Sequence, residues 1–214
     1  AGPPEPAGRA TGTARRVAAP PASCCSRRHP RGRSSPLLVR KRPELGRARG
    51  TRLVVLGSFP GVASLQAQQY YAHPQNQFWR LVGGLLAEPL PQLPYRERLA
   101  RLRVRGVGLW DVYASCRREG SLDSAIEAAE LNDLASLRRR APGLVAVAHN
   151  GGESARHRRH TEALGLPVWR LPSSSPANAS WSFERKLAAW REVFAFAGIV
   201  PSTGPGAPGQ HPGP

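Results

Sequence analysis

The chain has 214 residues and a formal net charge of +17, from 31 Lys and Arg against 14 Asp and Glu. It therefore has room for one ordinary domain with tails, and it favours a polyanionic partner, first of all nucleic acid. No apolar run approaches membrane-spanning length, and the cysteines Cys24, Cys25 and Cys116 form no CxxC pair. This argues against zinc, an iron–sulfur cluster or a disulfide framework and predicts an intracellular protein with reduced thiols.

Charge and composition divide the chain into three parts. Residues 1–50 carry 12 Lys and Arg against two Glu and are rich in Pro, Ala, Gly and Ser, which predicts a disordered basic arm. Such an arm is compatible with loose DNA binding, with organelle targeting, or with sequence upstream of the true start. Residues 51–200 have the pattern of a folded domain, and residues 201–214 form a predicted disordered Gly/Pro-rich tail. If the source is bacterial, we expect the protein in the cytoplasm or nucleoid.

Strand-like apolar runs alternate with helical periodicities from residue 51 to residue 200. In chain order we predict a strand at 53–56, helices at 76–86 and 95–104, a strand at 107–112, helices at 121–129 and 132–140, a strand at 144–148, a polar helix after Gly152, a strand at 168–171 and a helix at 182–197. This alternation predicts an α/β fold, specifically a three-layer α/β/α sandwich around a four-stranded, mainly parallel sheet.

The stretch 53–79 is the most densely specified part of the domain. A buried strand ends at Gly57, a tight turn is expected at Pro60-Gly61, and a tyrosine pair precedes His73, Pro74 and Asn76. Open α/β sheets bind ligands at the carboxyl ends of their strands. The stretch therefore predicts a ligand pocket.

Five segments in chain order carry a resemblance to a known family. They are GSFPG (57–61), YYAHPQNQFW (70–79), GLWDVYASCRREGSLDSAI (108–126), AHNG (148–151) and LPSSSPANAS (171–180). Together they resemble the uracil-DNA glycosylase superfamily, most closely its hypoxanthine-DNA (deoxyinosine) glycosylase branch, over about residues 52–197. The resemblance implies a monofunctional glycosylase without metal or cofactor, which flips a deaminated base out of DNA and hydrolyses its N-glycosidic bond. We expect a monomer.

Asn76 is the predicted catalytic residue. Hydrolysis of the N-glycosidic bond requires a positioned water, donors for the departing base and a stacking wall. In much of the superfamily a polar side chain at the position of Phe59 orients the water, and the resemblance implies that Asn76 takes this role here. The alternative interpretation is that Asn76 only caps the helix that follows it.

The resemblance also implies a set of base-binding residues. Tyr71 is expected to stack on the flipped base, and the Asp111 carboxylate is expected to accept N1–H of hypoxanthine while facing an unprotonated acceptor in adenine. Alternative structural roles stay open: a core aromatic for Tyr71, a satisfied buried carboxylate for Asp111, a loop stabiliser for His73 and turn chemistry for Asn150. The complete predicted base-binding set is Gly57, Ser58, Phe59, Tyr71, His73, Asp111 and Asn150.

A second set is predicted to contact the DNA backbone. The small side chains of LPSSSPANAS suit phosphate contact at a helix start, whereas basic runs are also common as solvated helix faces. The intercalating wedge is unassigned, because we expect Trp181 to pack beneath the loop. The predicted backbone set is Pro60, Gly61, Arg156, Arg158, Arg159, Ser173, Ser174 and Ser175.

Three alternative functions are weighed against this one. A uracil or mismatch-specific glycosylase is disfavoured by Phe59 and by Leu171, which lies near the start of a loop where other branches of the superfamily have His, Asn or Met. The absence of GxGxxG and GxxxxGK[ST] argues against a small-molecule nucleotide enzyme. A non-catalytic nucleic-acid-binding protein explains the charge but not the predicted pocket.

Overall fold

The computed structural model describes residues 50–118 and 120–200, together with Gly2. The chain divides into the units Ala1–Ser35 and Pro36–Pro214, and every element named below lies in the second unit. Apart from Gly2 and Gly50, the predicted disordered arm lies outside the described residues, as does the predicted tail 201–214.

The central sheet has four parallel strands, as predicted. Over the described residues the strands are β1 (Leu53–Gly57), β2 (Val107–Asp111), β3 (Tyr113–Arg118), β4 (Ile126–Leu131), β5 (Ala146–Asn150) and β6 (Val168–Leu171). The sheet order is β2-β1-β5-β6, with Gly57 opposite Asp111 and Asn150 opposite Leu171. The carboxyl ends of all four strands therefore lie at one edge of the sheet.

Helices cover both faces of this sheet. They are α1 (Val62–Ala67), α2 (Phe78–Leu86), α3 (Tyr95–Val104), α4 (Leu137–Arg140), α5 (Gly152–Ala155), α6 (Arg158–Glu162) and α7 (Phe183–Phe196). Side chains alternate along a strand, so Leu53 and Val55 pack into a core cluster with α2 and α7, while Val54 and Leu56 pack into another with Leu137. The described part of the chain is thus a three-layer α/β/α sandwich. None of its helices is both long and apolar enough to span a bilayer.

The predicted helix 121–129 is wrong. A short 3₁₀ turn, Asp123–Ala125, leads instead into β4, which pairs antiparallel with β3 and places Arg118 opposite Ile126. Of the residues with helical spacing, Ile126 packs against a core cluster, but Leu122 is 61% exposed and Ala129 is also exposed. Pairing with a neighbouring strand overrides a weak local periodicity.

Other element bounds shift for local reasons. The helix predicted from residue 76 begins at Phe78, and the one predicted at 132–140 is a 3₁₀ turn, Leu134–Ser136, followed by α4. Helix α1 was not predicted. Helix α2 tolerates the predicted weak point at Gly83, because a larger residue would clash there. A Cβ atom at this position would come within 2.8 Å of the carbonyl oxygen of Glu88.

Candidate active site

The predicted ligand pocket is bordered by Gly57, Asp111 and Tyr71, which converge where the carboxyl ends of β1 and β2 meet. A Cβ atom on Gly57 would come within 2.7 Å of Asp111 Oδ1 and 3.5 Å of the Tyr71 hydroxyl oxygen. Any larger residue at this strand end would displace the carboxylate, so glycine is required for the close approach. The structure thus brings together three residues of the predicted base-binding set.

Asp111 is a buried carboxylate with a fixed orientation. It is 5% exposed, and its Oδ2 accepts a hydrogen bond from the Tyr70 hydroxyl at 2.8 Å. Burial, reinforced by the Asp111 charge, raises the pKa of Tyr70 well above its ordinary value, so the hydroxyl stays protonated and donates. The other oxygen, Oδ1, is turned toward Gly57. Asp111 therefore presents an acceptor at the strand end.

Tyr71 is a half-buried aromatic in a left-handed backbone conformation, with φ of 53°. Its ring stacks on Phe78, with 3.9 Å between ring centroids and 17° between planes. Burial raises the pKa of its hydroxyl. The hydroxyl lies near Asn150, but it closes no hydrogen bond of ordinary geometry within the described residues. A buried polar atom without a partner is a place where a water or ligand atom is expected.

Asn76 lies half-buried just before α2, whose N-cap is Gln77. Its Oδ1 accepts from the backbone N–H of Phe78 at 3.0 Å, and its own N–H donates to the His73 carbonyl at 2.9 Å. The N-cap of α2 is Gln77 and not Asn76, so Asn76 is not the predicted cap, although its side chain still satisfies the first backbone N–H of the helix. An amide oxygen has a second lone pair and the Nδ2 group has two donors, so the same side chain retains the groups needed to hold a water.

Ser174 is buried between two elements of the site. Asn150 Oδ1 accepts from Ser174 N–H and Asn150 Nδ2 donates to Ser174 Oγ, both at 2.9 Å. The carbonyl oxygen of Ser174 accepts from Gln77 N–H at 2.9 Å. Asn150 thus ties the LPSSSPANAS loop to β5, and the loop in turn contacts the start of α2.

The GSFPG loop is clamped by the tip of the β3–β4 hairpin. Ser58 Oγ donates to Asp123 Oδ1 at 2.7 Å, and Arg118 donates to the Pro60 carbonyl. The Arg118 guanidinium carbon also lies 5.6 Å from the Phe59 ring centroid. Burial raises the pKa of Asp123. These contacts hold the loop that borders the pocket in a single arrangement.

The same fold and sequence pattern are found in a known family. The family model for the uracil DNA glycosylase superfamily matches residues 43–194. This chain belongs to that superfamily. A superfamily protein named hypoxanthine DNA glycosylase, from Methanosarcina barkeri, is 39% identical over 144 residues, covering 67% of this chain and 90% of the relative.

Two proteins of Methanosarcina acetivorans show further similarity. One is also named hypoxanthine DNA glycosylase and is 39% identical over the same shares of the two chains. The other is a solution NMR structure of a protein assigned to the uracil DNA glycosylases. It has a TM-score of 0.68 and 36% identity, and the match covers 76% of this chain and 99% of that one.

The predicted phosphate-binding arginines of this superfamily member are exposed after the end of β5. Arg156 pairs with Glu153 at 3.2 Å and Arg158 with Glu162 at 3.5 Å, while Arg159 lies beside His160. Exposed ion pairs of this kind are weak, so both arginines remain able to contact a phosphate. Their role in DNA binding stays a prediction.

We expect weaker salt dependence of duplex DNA binding when Arg156, Arg158 and Arg159 are changed together to glutamine. The slope of log K against log salt should become less negative by about 1 to 3, since each phosphate contact contributes about 0.9 to it. The measurement is a salt titration of binding. The matched control changes Arg101, Arg103 and Arg105 to glutamine. These residues lie at the end of α3, next to the amino end of β2 and so at the opposite edge of the sheet. Arg101 and Arg105 likewise lie near a carboxylate, that of Glu88. Equal slopes for the two triple variants would reject specific contact by the 156–159 segment.

The remaining predicted site residues lie around the rim. His73 is exposed, and its Nδ1 accepts from the N–H of Gln75 at 3.2 Å, as a loop stabiliser does. Ser173 and Ser175 are half-buried, and Ser175 N–H donates to Ser173 Oγ. The expectation that Trp181 packs beneath the loop is wrong, because it is 36% exposed with Arg185 over its ring at 4.6 Å.

Sequence reasoning missed the groups that support the site. Arg118 and Asp123 belong to a hairpin that the helical prediction concealed. Gln77 and Lys186 lie 109 positions apart and meet only in the fold. The one available signal was composition, since Lys41 and Lys186 are the only lysines of the chain. Within the described residues, no group of three or more His, Cys, Asp or Glu side chains could hold a metal ion.

Proposed function

We propose that this chain is a monofunctional DNA glycosylase of base excision repair, which removes hypoxanthine from deoxyinosine in DNA and leaves an abasic site. The observation that carries the proposal is the approach of the Asp111 carboxylate and Tyr71 to Gly57 at the strand ends. The two relatives named hypoxanthine DNA glycosylase support the same substrate. The formal charge of +17 suits binding to DNA.

The pocket chemistry favours a base with an N–H at its pairing edge. Asp111 presents only acceptors when ionised, so it binds N1–H of hypoxanthine and repels the lone pair on N1 of adenine. Tyr71, with one ring face on Phe78, offers its other face to a purine. Uracil also carries an N–H at its edge, so the preference for a purine rests on the stacking surface and on the named relatives.

The proposed reaction is hydrolytic. As the bond to the base breaks, positive charge develops on the deoxyribose and negative charge on the base. Asn76 holds a water that donates a hydrogen bond to Oδ1 and accepts one from Nδ2–H, which directs the water oxygen toward the anomeric carbon. The water oxygen bonds to that carbon, and the base leaves with the electron pair of the broken bond. The attacking water loses a proton to solvent, and the base anion takes one up from solvent, so the products are the abasic sugar and the neutral base.

The environment of Lys186 supports the monofunctional assignment. A glycosylase that also cleaves the strand uses an amine to form a covalent Schiff base with the sugar. Lys186 is the only lysine among the described residues, and its side chain is buried and hydrogen-bonded to two carbonyl oxygens. We therefore expect an intact abasic site as the product.

One experiment separates the proposed function from its alternatives. The full chain is incubated with matched oligonucleotides that contain hypoxanthine, uracil, xanthine or no lesion, and abasic sites are measured with and without alkali. We expect excision chiefly of hypoxanthine and strand breaks only after alkali. Faster excision of uracil would support the uracil-specific alternative, and excision of no lesion would support a non-catalytic DNA-binding protein.

A further inference from the structure

Lys186 is a buried ammonium that has no carboxylate partner among the described residues. Its side chain is 1% exposed, and Nζ donates to Gln77 Oε1 and to the Asn178 carbonyl oxygen, both at 2.9 Å. None of the ion pairs between described residues includes it. Burial lowers the pKa of Lys186.

The position of Lys186 is electrostatically unfavourable. A buried charge without an opposite charge is costly even when it is hydrogen-bonded. Lys186 is also the fourth residue of α7, and its N–H donates to the Ser182 carbonyl in the first turn. The positive end of a helix macrodipole repels a cation there. Stability alone therefore does not explain a lysine at this place.

Lys186 joins two segments that border the pocket. Gln77 directly follows Asn76, and its backbone N–H donates to Ser174. Asn178 belongs to the other segment, and its Nδ2 donates to the Ser173 carbonyl at 3.2 Å. One ammonium thus fixes the start of α2 against the LPSSSPANAS loop.

The proposed reaction needs positive charge on this side of the pocket. The departing base becomes an anion, while Asp111 adds a second negative charge at the strand end. Arg118 lies 3.9 Å from the Asp123 carboxylate, so its charge is largely offset. The starts of α2 and α7 add partial positive charge. Lys186 adds a full positive charge, and no carboxylate in the described part of the chain forms an ion pair with it.

We propose that Lys186 is a positioning residue for base excision. Its ammonium anchors Gln77 and Asn178, and its uncompensated positive charge favours the anion that the base becomes as it leaves. This inference rests on the proposed function. It extends that function by assigning the charge that stabilises the leaving group to a residue that does not touch the base.

Lys186→Met tests the charge while keeping an apolar stem. We expect the single-turnover rate of hypoxanthine excision to fall about tenfold, with the Kd for lesion DNA within about threefold of wild type. The melting temperature should stay close to that of wild type, because removal of an unpaired buried charge opposes the loss of a donor to the Gln77 and Asn178 oxygens. Arg191→Met, which removes a cation further along α7, is the matched control and should keep the wild-type rate. A folded Lys186→Met protein with the wild-type rate would overturn the proposal.

Gln77→Glu provides a second test that does not depend on the first variant folding. It keeps the shape of the side chain and its contact with Nζ but pairs the ammonium with a carboxylate. We expect equal or higher thermal stability together with a slower single-turnover rate, a combination that a purely structural lysine does not produce. A wild-type rate for Gln77→Glu would show that the charge of Lys186 has no effect on excision, which would overturn the proposal.

Amide hydrogen exchange separates this proposal from the proposed function. If the wild-type chain excises no base, the proposed function fails, but the anchor is still measurable. Protection at the Gln77 and Ser174 amides is expected to fall in Lys186→Met and to persist in Gln77→Glu. Unchanged protection in Lys186→Met would show that Lys186 anchors neither segment.

Discussion

Replacing Asn76 with alanine is expected to slow single-turnover excision of hypoxanthine by about 10²- to 10³-fold, the range for the loss of one preorganised hydrogen-bonding side chain. Binding of lesion DNA should change little, because Asn76 acts on the water and not on the phosphates. The rate is measured as abasic-site formation at saturating protein, and binding is measured with the same oligonucleotide by fluorescence anisotropy. Gln75→Ala, an exposed neighbour, is the control and should keep the wild-type rate.

A second variant is needed to separate the effect of Asn76 on the reaction from its hydrogen bond to the first turn of α2. Loss of the hydrogen bond to Phe78 N–H removes about 0.5–2 kcal/mol of stability, so slow excision by the alanine variant alone is ambiguous. Serine is also a good helix cap, but it cannot hold a water through an amide oxygen and an amide N–H together. We expect Asn76→Ser to be nearly as stable as wild type and still slow. A wild-type rate for Asn76→Ser would leave Asn76 with a structural role only.

The sheet was predictable because its strands carry a simple signal. Strands β1, β2 and β5 are buried along their whole length, and such strands read as continuous apolar runs between turns. Their parallel order then followed from the intervening helices. Helix α7 was also predictable, since Trp190 and Phe194 are buried at helical spacing.

The β3–β4 hairpin was not predictable from local pattern. Strand β4 is exposed along most of its length, so it lacks the alternation that marks a half-buried strand. Its pairing with β3 is a tertiary contact that local pattern does not reveal. Because residues 121–129 were predicted as a helix, Asp123 was not expected at the site. Its hydrogen bond with Ser58 and that of Arg118 with Pro60 were therefore not predicted.

The pocket was partly predictable for a geometric reason. Gly57 and Asp111 end adjacent parallel strands, so their convergence follows from the sheet. Tyr70 was not expected to fix the Asp111 carboxylate, and Ser174 was not expected to be buried against Asn150. Such partners are chosen by three-dimensional packing, and nothing in the spacing of the sequence specifies them.

Replacing Asp111 with asparagine is expected to lower the single-turnover rate on hypoxanthine by about 10- to 100-fold, since hydrogen bonds to a charged group contribute about 1.5–3 kcal/mol. The new amide group turns a donor toward N1–H if its nitrogen takes the place of Oδ1. Adenine has the opposite edge, with an acceptor at N1, so its excision should not fall in parallel. The ratio of the two rates, measured on otherwise identical oligonucleotides, reports the discrimination by Asp111.

Two further variants show whether the effect depends on the oriented carboxylate. Tyr70→Phe removes the donor to Asp111 Oδ2 and leaves the charge, so a smaller loss on hypoxanthine is expected. Asp133→Asn, at an exposed cap that accepts from Ser136 N–H, makes the same chemical change outside the pocket and should leave the ratio at its wild-type value. An unchanged ratio of hypoxanthine to adenine excision in Asp111→Asn would mean that Asp111 supports the fold of the pocket without reading the base. The selection of hypoxanthine would then have to come from the stacking surface of Tyr71.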